Sequence, residues 1–114
     1  MQYWSIYAVR EFPDTAFYPA LVALFEKEWG QKAYDYPKWR ILYQALAQYP
    51  TDTTKKLFER TLQTKDEFRY NTLGKYLLIA LTRYPNPSFT SIKSKIKISD
   101  AYRSDLQDEM DIEK

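Results

Sequence analysis

Apolar residues in this chain recur at helical spacing, and short polar clusters built around proline interrupt them at regular intervals. Phe17, Leu21, Leu24 and Phe25 lie three or four apart or adjacent, as do Leu57, Phe58 and Leu62, and again Phe89, Ile92 and Ile96. Such spacings put residues on one face of an α-helix, whereas a half-buried strand alternates apolar and polar positions. Two other segments are apolar on more than one side. Ile41, Leu42, Ala45, Leu46 and Tyr49 form one stripe; Leu73, Leu77, Ala80, Leu81 and Tyr84 form another, with Leu78 and Ile79 adding surface beside it. Helices of that kind are covered by several neighbours. The pattern predicts helices at about 2–12, 17–29, 37–49, 53–63, 68–83 and 88–97.

The interruptions repeat. "AVREFP" ends at Pro13, "ALAQYP" at Pro50 and "ALTRYP" at Pro85, which gives spacings of 37 and 35 residues. That period fits a repeated helical hairpin. In each copy Ala (Ala8, Ala45, Ala80) stands four residues before an aromatic (Phe12, Tyr49, Tyr84), so both share a helix face. The small residue admits a close neighbour, and the proline, which has no amide proton and disfavours helix at the residue before it, ends the helix. Asp14, Thr51 with Asp52, and Asn86 then offer side-chain oxygens to cap a second helix, and Pro19 and Pro87 suit a first turn.

Composition narrows the class. A chain of 114 residues with 45% hydrophobic content fits one domain with a real core, and two glycines are too few for the many turns of a sandwich or barrel. Cysteine and histidine are both missing, which removes thiolate chemistry, the usual zinc and haem ligands and the commonest general base. Asp66 and Glu67 are neighbours and do not face each other, so they suit a helix N-terminus better than an acid/base pair. Gly74 inside a helix costs about 1 kcal/mol relative to Ala, and close approach of another element is the expected compensation. No catalytic site, cofactor, metal or small-molecule substrate is expected. The longest apolar run, "YLLIAL", is far short of a membrane span, and the N-terminus has no signal-peptide pattern. The expectation is a soluble cytoplasmic protein.

The segments "AVREFPDTAFYPALVALFEKE" and "WRILYQALAQYPTDTTKKLFERTL" resemble HEAT repeats. In that α-solenoid family a helix rich in small residues ends near an aspartate, and an antiparallel second helix carries an "xPALxxLF" type of run. Asp14, Pro19, Ala20, Leu21, Leu24 and Phe25 match in the first copy, and Trp39, Arg40, Ala45, Leu46 and Asp52 in the second. The third copy, "NPSFTSIKSKI", lacks the aspartate. A tetratricopeptide array is the runner-up, but its small residue would fall near Arg60 or Thr61. The resemblance covers residues 2–97 and implies an all-α solenoid of about three hairpins, acting as a non-catalytic protein-interaction or scaffold module.

Charge and aromatics supply the candidate surfaces. Residues 1–97 hold 15 Lys and Arg against 9 Asp and Glu, whereas residues 98–114 hold 2 against 6. If second helices line a concave face, as the resemblance implies, Lys55, Lys56 and Arg60 with Lys93, Lys95 and Lys97 are candidates to track nucleic-acid phosphates. Glu26 and Glu28 break that stripe in the first copy. The plainer reading of the same cations is that they solvate exposed helix faces. Tyr34, Tyr36 and Trp39, around Pro37, form either loop packing or an exposed aromatic ridge of the kind found at interfaces. Trp4, Ile6 and Tyr7 lie on a short first element with no cap before it, either an end cap or a docking element. The acidic tail, residues 98–114, spaces Tyr102, Leu106 and Met110 four apart, as a disordered segment or a short capping helix.

Overall fold

Each proline of the repeated phrase lies just beyond a helix end. Helices α1 (Tyr3–Glu11), α3 (Tyr36–Leu46) and α5 (Glu67–Arg83) precede Pro13, Pro50 and Pro85; α2 (Tyr18–Trp29), α4 (Asp52–Leu62) and α6 (Thr90–Lys95) follow them. The computed structural model describes residues 3–103, and helix is the only regular secondary structure among them. The chain is all-helical.

Caps explain the starts. Asp35, Thr51 and Asp66 accept the amides of Lys38, Thr54 and Arg69 and so begin α3, α4 and α5. Asp14 and Asn86 cap short 3-10 turns instead, Thr15–Phe17 and Pro87–Phe89, which lead directly into α2 and α6. Replacing such a cap by Ala typically costs about 1 kcal/mol. The clearest departure from expectation is the end of α3, which stops at Leu46 rather than beside Pro50. There Gln48 and Tyr49 donate to Ala45 and Leu46, three residues back, and this tightened turn lets Tyr49 leave the helix before the proline.

The first helices of the hairpins lie side by side. α3 packs against α1 on one flank and α5 on the other, while α2 lies on α3, α4 on α5, and α6 on α4. The middle of that row is therefore the core. Every residue from 41 to 46 in α3 and from 71 to 77 in α5 is buried. Leu21, Phe25, Trp39, Tyr43, Phe58, Leu73, Leu77 and Phe89 fill the space between the layers. Each fully buried side chain of this size contributes about 1.5–3 kcal/mol, so packing outweighs the modest helix propensity of these sequences.

The far flank of α5 is covered by the chain that follows α6. Ile98 is buried, Lys97 donates its amide to the Tyr70 hydroxyl, and Ser99 donates to the Asn71 amide oxygen at 2.8 Å. A Cβ on Gly74 would stand 3.2 Å from Ile98 Cδ1 and 3.6 Å from Ile96 Cγ2. The close approach expected at Gly74 thus comes from residues 96–98. Residues 100–103 are helical, and Tyr102 meets the Phe68 ring. Residues 98–103, placed in the tail by sequence, pack on α5; Leu106 and Met110 lie outside the described residues.

Candidate functional site

Polar ties join the hairpins and decide which surfaces remain for partners. The Arg10 guanidinium donates to Gln44 Oε1 at 2.7 Å, and Gln48 returns a bond to the Arg10 carbonyl. The Tyr49 hydroxyl accepts from the Asp14 amide and donates to the Asp14 carbonyl, while its ring stacks on Tyr18 at 5.0 Å. Tyr18 in turn pairs its hydroxyl with those of Thr51 and Thr54. These contacts show that positions 44, 48 and 49 face the preceding hairpin.

Tyrosines and tryptophans account for the seam on the second-helix side. Phe25, Trp29, Trp39 and Tyr43 contact one another, with centroids 4.9 Å apart for Phe25 and Trp39; Phe58 and Phe89 extend the row at 5.9 and 5.2 Å. The Tyr43 hydroxyl bonds Thr61 at 2.6 Å, and burial raises its pKa well above the usual tyrosine value. Burial likewise raises Tyr34 and Tyr49. Trp39 is fully buried, so it is unavailable to any exposed ridge. Tyr34 and Tyr36 are half-buried at its rim; Tyr34 donates to the Trp29 carbonyl and lies under Arg69 at 4.0 Å.

The candidate cations do not form one stripe. Arg60 pairs with Glu26 and lies over the Trp29 ring at 5.0 Å, which makes it a clasp between α2 and α4. Lys55 is 3.9 Å from Asp52, and Lys56 is exposed with Asp52 and Glu59 on the same outer side of α4. Lys93, Lys95 and Lys97 are exposed. With the 35-residue offset, Lys55 and Lys56 correspond to Thr90 and Ser91, and only Arg60 and Lys95 share a register. Lys93 also borders an open depression with Leu81, Pro85, Pro87 and Phe89.

The surface that stands out is on α1. Ile6 and Val9 are buried toward α3, but Trp4 is 72% exposed, Ala8 is exposed, and Phe12 is 78% exposed. Their counterparts in the second hairpin are Ile41, Ala45 and Tyr49, which are buried against α1, and in the third Tyr76, Ala80 and Tyr84. The first copy therefore shows to solvent the face that later copies use to pack against the hairpin before them. The 3-10 turn and α2 also have an exposed side, though of its counterparts in the second hairpin only Leu57 is buried. Ala16, Ala20, Ala23 and Lys27 are exposed along one side, opposite the side that Tyr18 and Glu26 turn to α4. Ala20, Ala23, Leu24 and Lys27 line a shallow groove there. Sequence reading noted Trp4 and set Ala8 and Phe12 in the repeated phrase but did not find them exposed; the alignment on the prolines held the signal, since these three map onto residues that are buried or half-buried in the later copies.

Among the described residues no three potential metal-ligating side chains cluster, and no helix is long and apolar enough to cross a membrane. Compared with known proteins, the chain matches no protein-family model, no curated protein and no solved structure.

Proposed function

We propose that the chain is a non-catalytic protein-interaction module, a short solenoid of about three HEAT-like hairpins in a cytoplasmic setting, which binds through the bare flank of its first hairpin. The observation that carries this reading is the exposure of Trp4, Ala8 and Phe12 at positions that are buried or half-buried in the later copies. Two large exposed rings, Trp4 on α1 and Phe12 just past its end, with Ala8 between them, make an apolar surface of the kind that marks interaction sites. The spacing of the repeated phrase and the side-by-side packing of α1, α3 and α5 support the solenoid assignment.

A crosslinking pull-down from the native host tests the reading. The full chain should recover a partner that the Trp4→Ser/Phe12→Ser variant loses. Equal recovery by both chains, or nothing above a Lys-rich control of similar size, would count against it. The second reading is nucleic-acid binding through Lys55, Lys56, Lys93 and Lys95, favoured by the exposure of Lys56, Lys93 and Lys95. It requires affinity that falls steeply with salt and disappears in Lys55→Glu/Lys56→Glu. Absence of binding to single- and double-stranded probes at low salt would remove it.

A further inference from the structure

One face of the helix row carries a charge that matches the end of the same chain, and we infer that the acidic residues 104–114 dock back on the first helices, with carboxylates set against Arg40, Lys75 and Arg83. The inference is independent of the flank at Trp4 and Phe12.

The three first helices run the same way. The starts of α3 and α5 meet where the Tyr36 and Phe68 rings stand 5.6 Å apart. The ends of α1, α3 and α5 meet where Arg10 reaches Gln44 at 2.7 Å and where Arg10 and Arg83 both reach Glu11, at 2.8 and 4.0 Å. These four residues form one cluster over the ends of three helices. Arg40 lies one helical turn before Gln44, and Lys75, Ile79 and Arg83 follow one another four apart on α5. The 35-residue offset of the prolines gives Arg40 and Lys75 the same register, so α3 and α5, which pack side by side, carry them at one level of the row.

This face is short of negative charge. Arg10, Arg40, Lys75 and Arg83 share it with one carboxylate, that of Glu11. Gln44 and Lys75 are only 0% and 6% exposed, and Gln44 Nε2 has no hydrogen-bond partner among the described residues. Lys is rarely buried so deeply unless it is paired, and a buried amide donor without an acceptor is unfavourable. Both features suit an anionic acceptor on this side.

Residues 104–114 lie outside the described residues and hold five carboxylates against one Lys. They begin at a suitable place. Tyr102 meets the Phe68 ring at 6.4 Å and Arg103 donates to the Ile98 carbonyl, so the segment starts beside the shared start of α3 and α5. Lys75 lies roughly 10 Å along α5 from Phe68 at the helical rise, and Arg83 roughly 22 Å. Eleven residues span roughly 16 Å as a helix and up to roughly 36 Å extended, so the nearer cations are within reach in either form. Attachment to the same chain makes the encounter intramolecular, which raises the effective concentration of the acids at this face. Leu106 and Met110 add apolar contact with the stems of Arg40 and Lys75. Docked there, the segment keeps other anions off the row.

Limited proteolysis of the full chain tests this, with a protease that cuts at apolar residues and circular dichroism to confirm folding. Residues 104–114 should be cut slowly in the wild type. In Arg40→Gln/Lys75→Gln, where the segment itself is unchanged, the same bonds should be cut at least about 10-fold faster while the body stays intact. Equal rates in the two chains would overturn the inference. Dilution separates the occupants: protection that holds at every concentration means that the segment sits on its own chain, whereas protection that fades on dilution means that a second copy supplies it, which also overturns the inference. A water-soluble carbodiimide, which joins an ammonium to a carboxylate in contact, gives a check that needs no variant and decides the matter if Arg40→Gln/Lys75→Gln does not fold. Monomeric wild type should yield a peptide that links Lys75 to residues 105–113; a digest without that peptide would sink the proposal.

Discussion

The two flanks of the helix row are finished in opposite ways. At α5, a segment of the chain returns: Ile98 is buried, Ser99 and Lys97 donate to Asn71 and Tyr70, and Gly74 admits the segment at van der Waals distance. At α1 the equivalent surface is bare, and Trp4 and Phe12 extend into water. The helices themselves do not differ enough to explain this, because α1 carries the same Ala-x-x-x-aromatic phrase as α3 and α5. The difference lies in what adjoins each helix. A helical hairpin buries its apolar face only against a neighbour, and here the chain itself supplies one at α5 and none at α1 among the described residues.

Substitutions on the two flanks should therefore differ in cost. Ile98→Ala should have the largest effect, a loss of about 2–4 kcal/mol in urea unfolding, because it opens a cavity against α5. A loss below about 0.5 kcal/mol would mean that the segment covers α5 without holding it. Gly74→Val should cost about 1–3 kcal/mol by forcing residues 96–98 away from the helix, and hydrogen exchange should show the Ser99 amide losing protection. Gly74→Ala is the finer version: the propensity gain of up to about 1 kcal/mol opposes a contact with the flexible end of Ile98, and the net change should be small.

Tyr43→Phe acts between the flanks and should cost about 1–2 kcal/mol near neutral pH by leaving the Thr61 hydroxyl without its partner. It also removes a pH dependence. Burial raises the Tyr43 pKa, so the unfolded chain releases that proton first; the stabilisation is complete below about pH 10 and is lost as pH rises further. Equilibrium unfolding from pH 8 to 12 should fall less steeply in the variant. Trp4→Ser with Phe12→Ser should have the smallest effect on stability, within about 0.5 kcal/mol. A larger loss would mean that the flank is not bare in solution.

Much of this arrangement is legible in the letters. Asp14, Thr51 and Asn86 cap the turns and the helix that follow the three prolines, as their places in the sequence suggest, and the repeated phrase fixes which helix precedes which proline. Burial of the phrase is not legible, because it depends on the preceding hairpin: Phe12 is exposed, Tyr49 buried and Tyr84 half-buried, although all three occupy one place in the pattern. Trp39 is open to two readings in the sequence because Tyr34, Tyr36 and Pro37 beside it have the composition of a surface loop, yet it lies in the first turns of α3 and is fully buried. The covering segment left a signal that helical spacing obscures. Lys95, Ile96, Lys97, Ile98 alternates polar and apolar residues, the mark of an extended stretch with one buried face. Among the candidate cations, Arg60 needed the structure, since Glu26 lies 34 residues away.

The Tyr49 hydroxyl, which both donates to and accepts from the backbone of Asp14, spans 35 residues of chain. During synthesis from the N-terminus, the turn at Asp14 emerges long before the side chain that fastens it. The turn at Asp14 therefore gains this tie only after the second hairpin has been made.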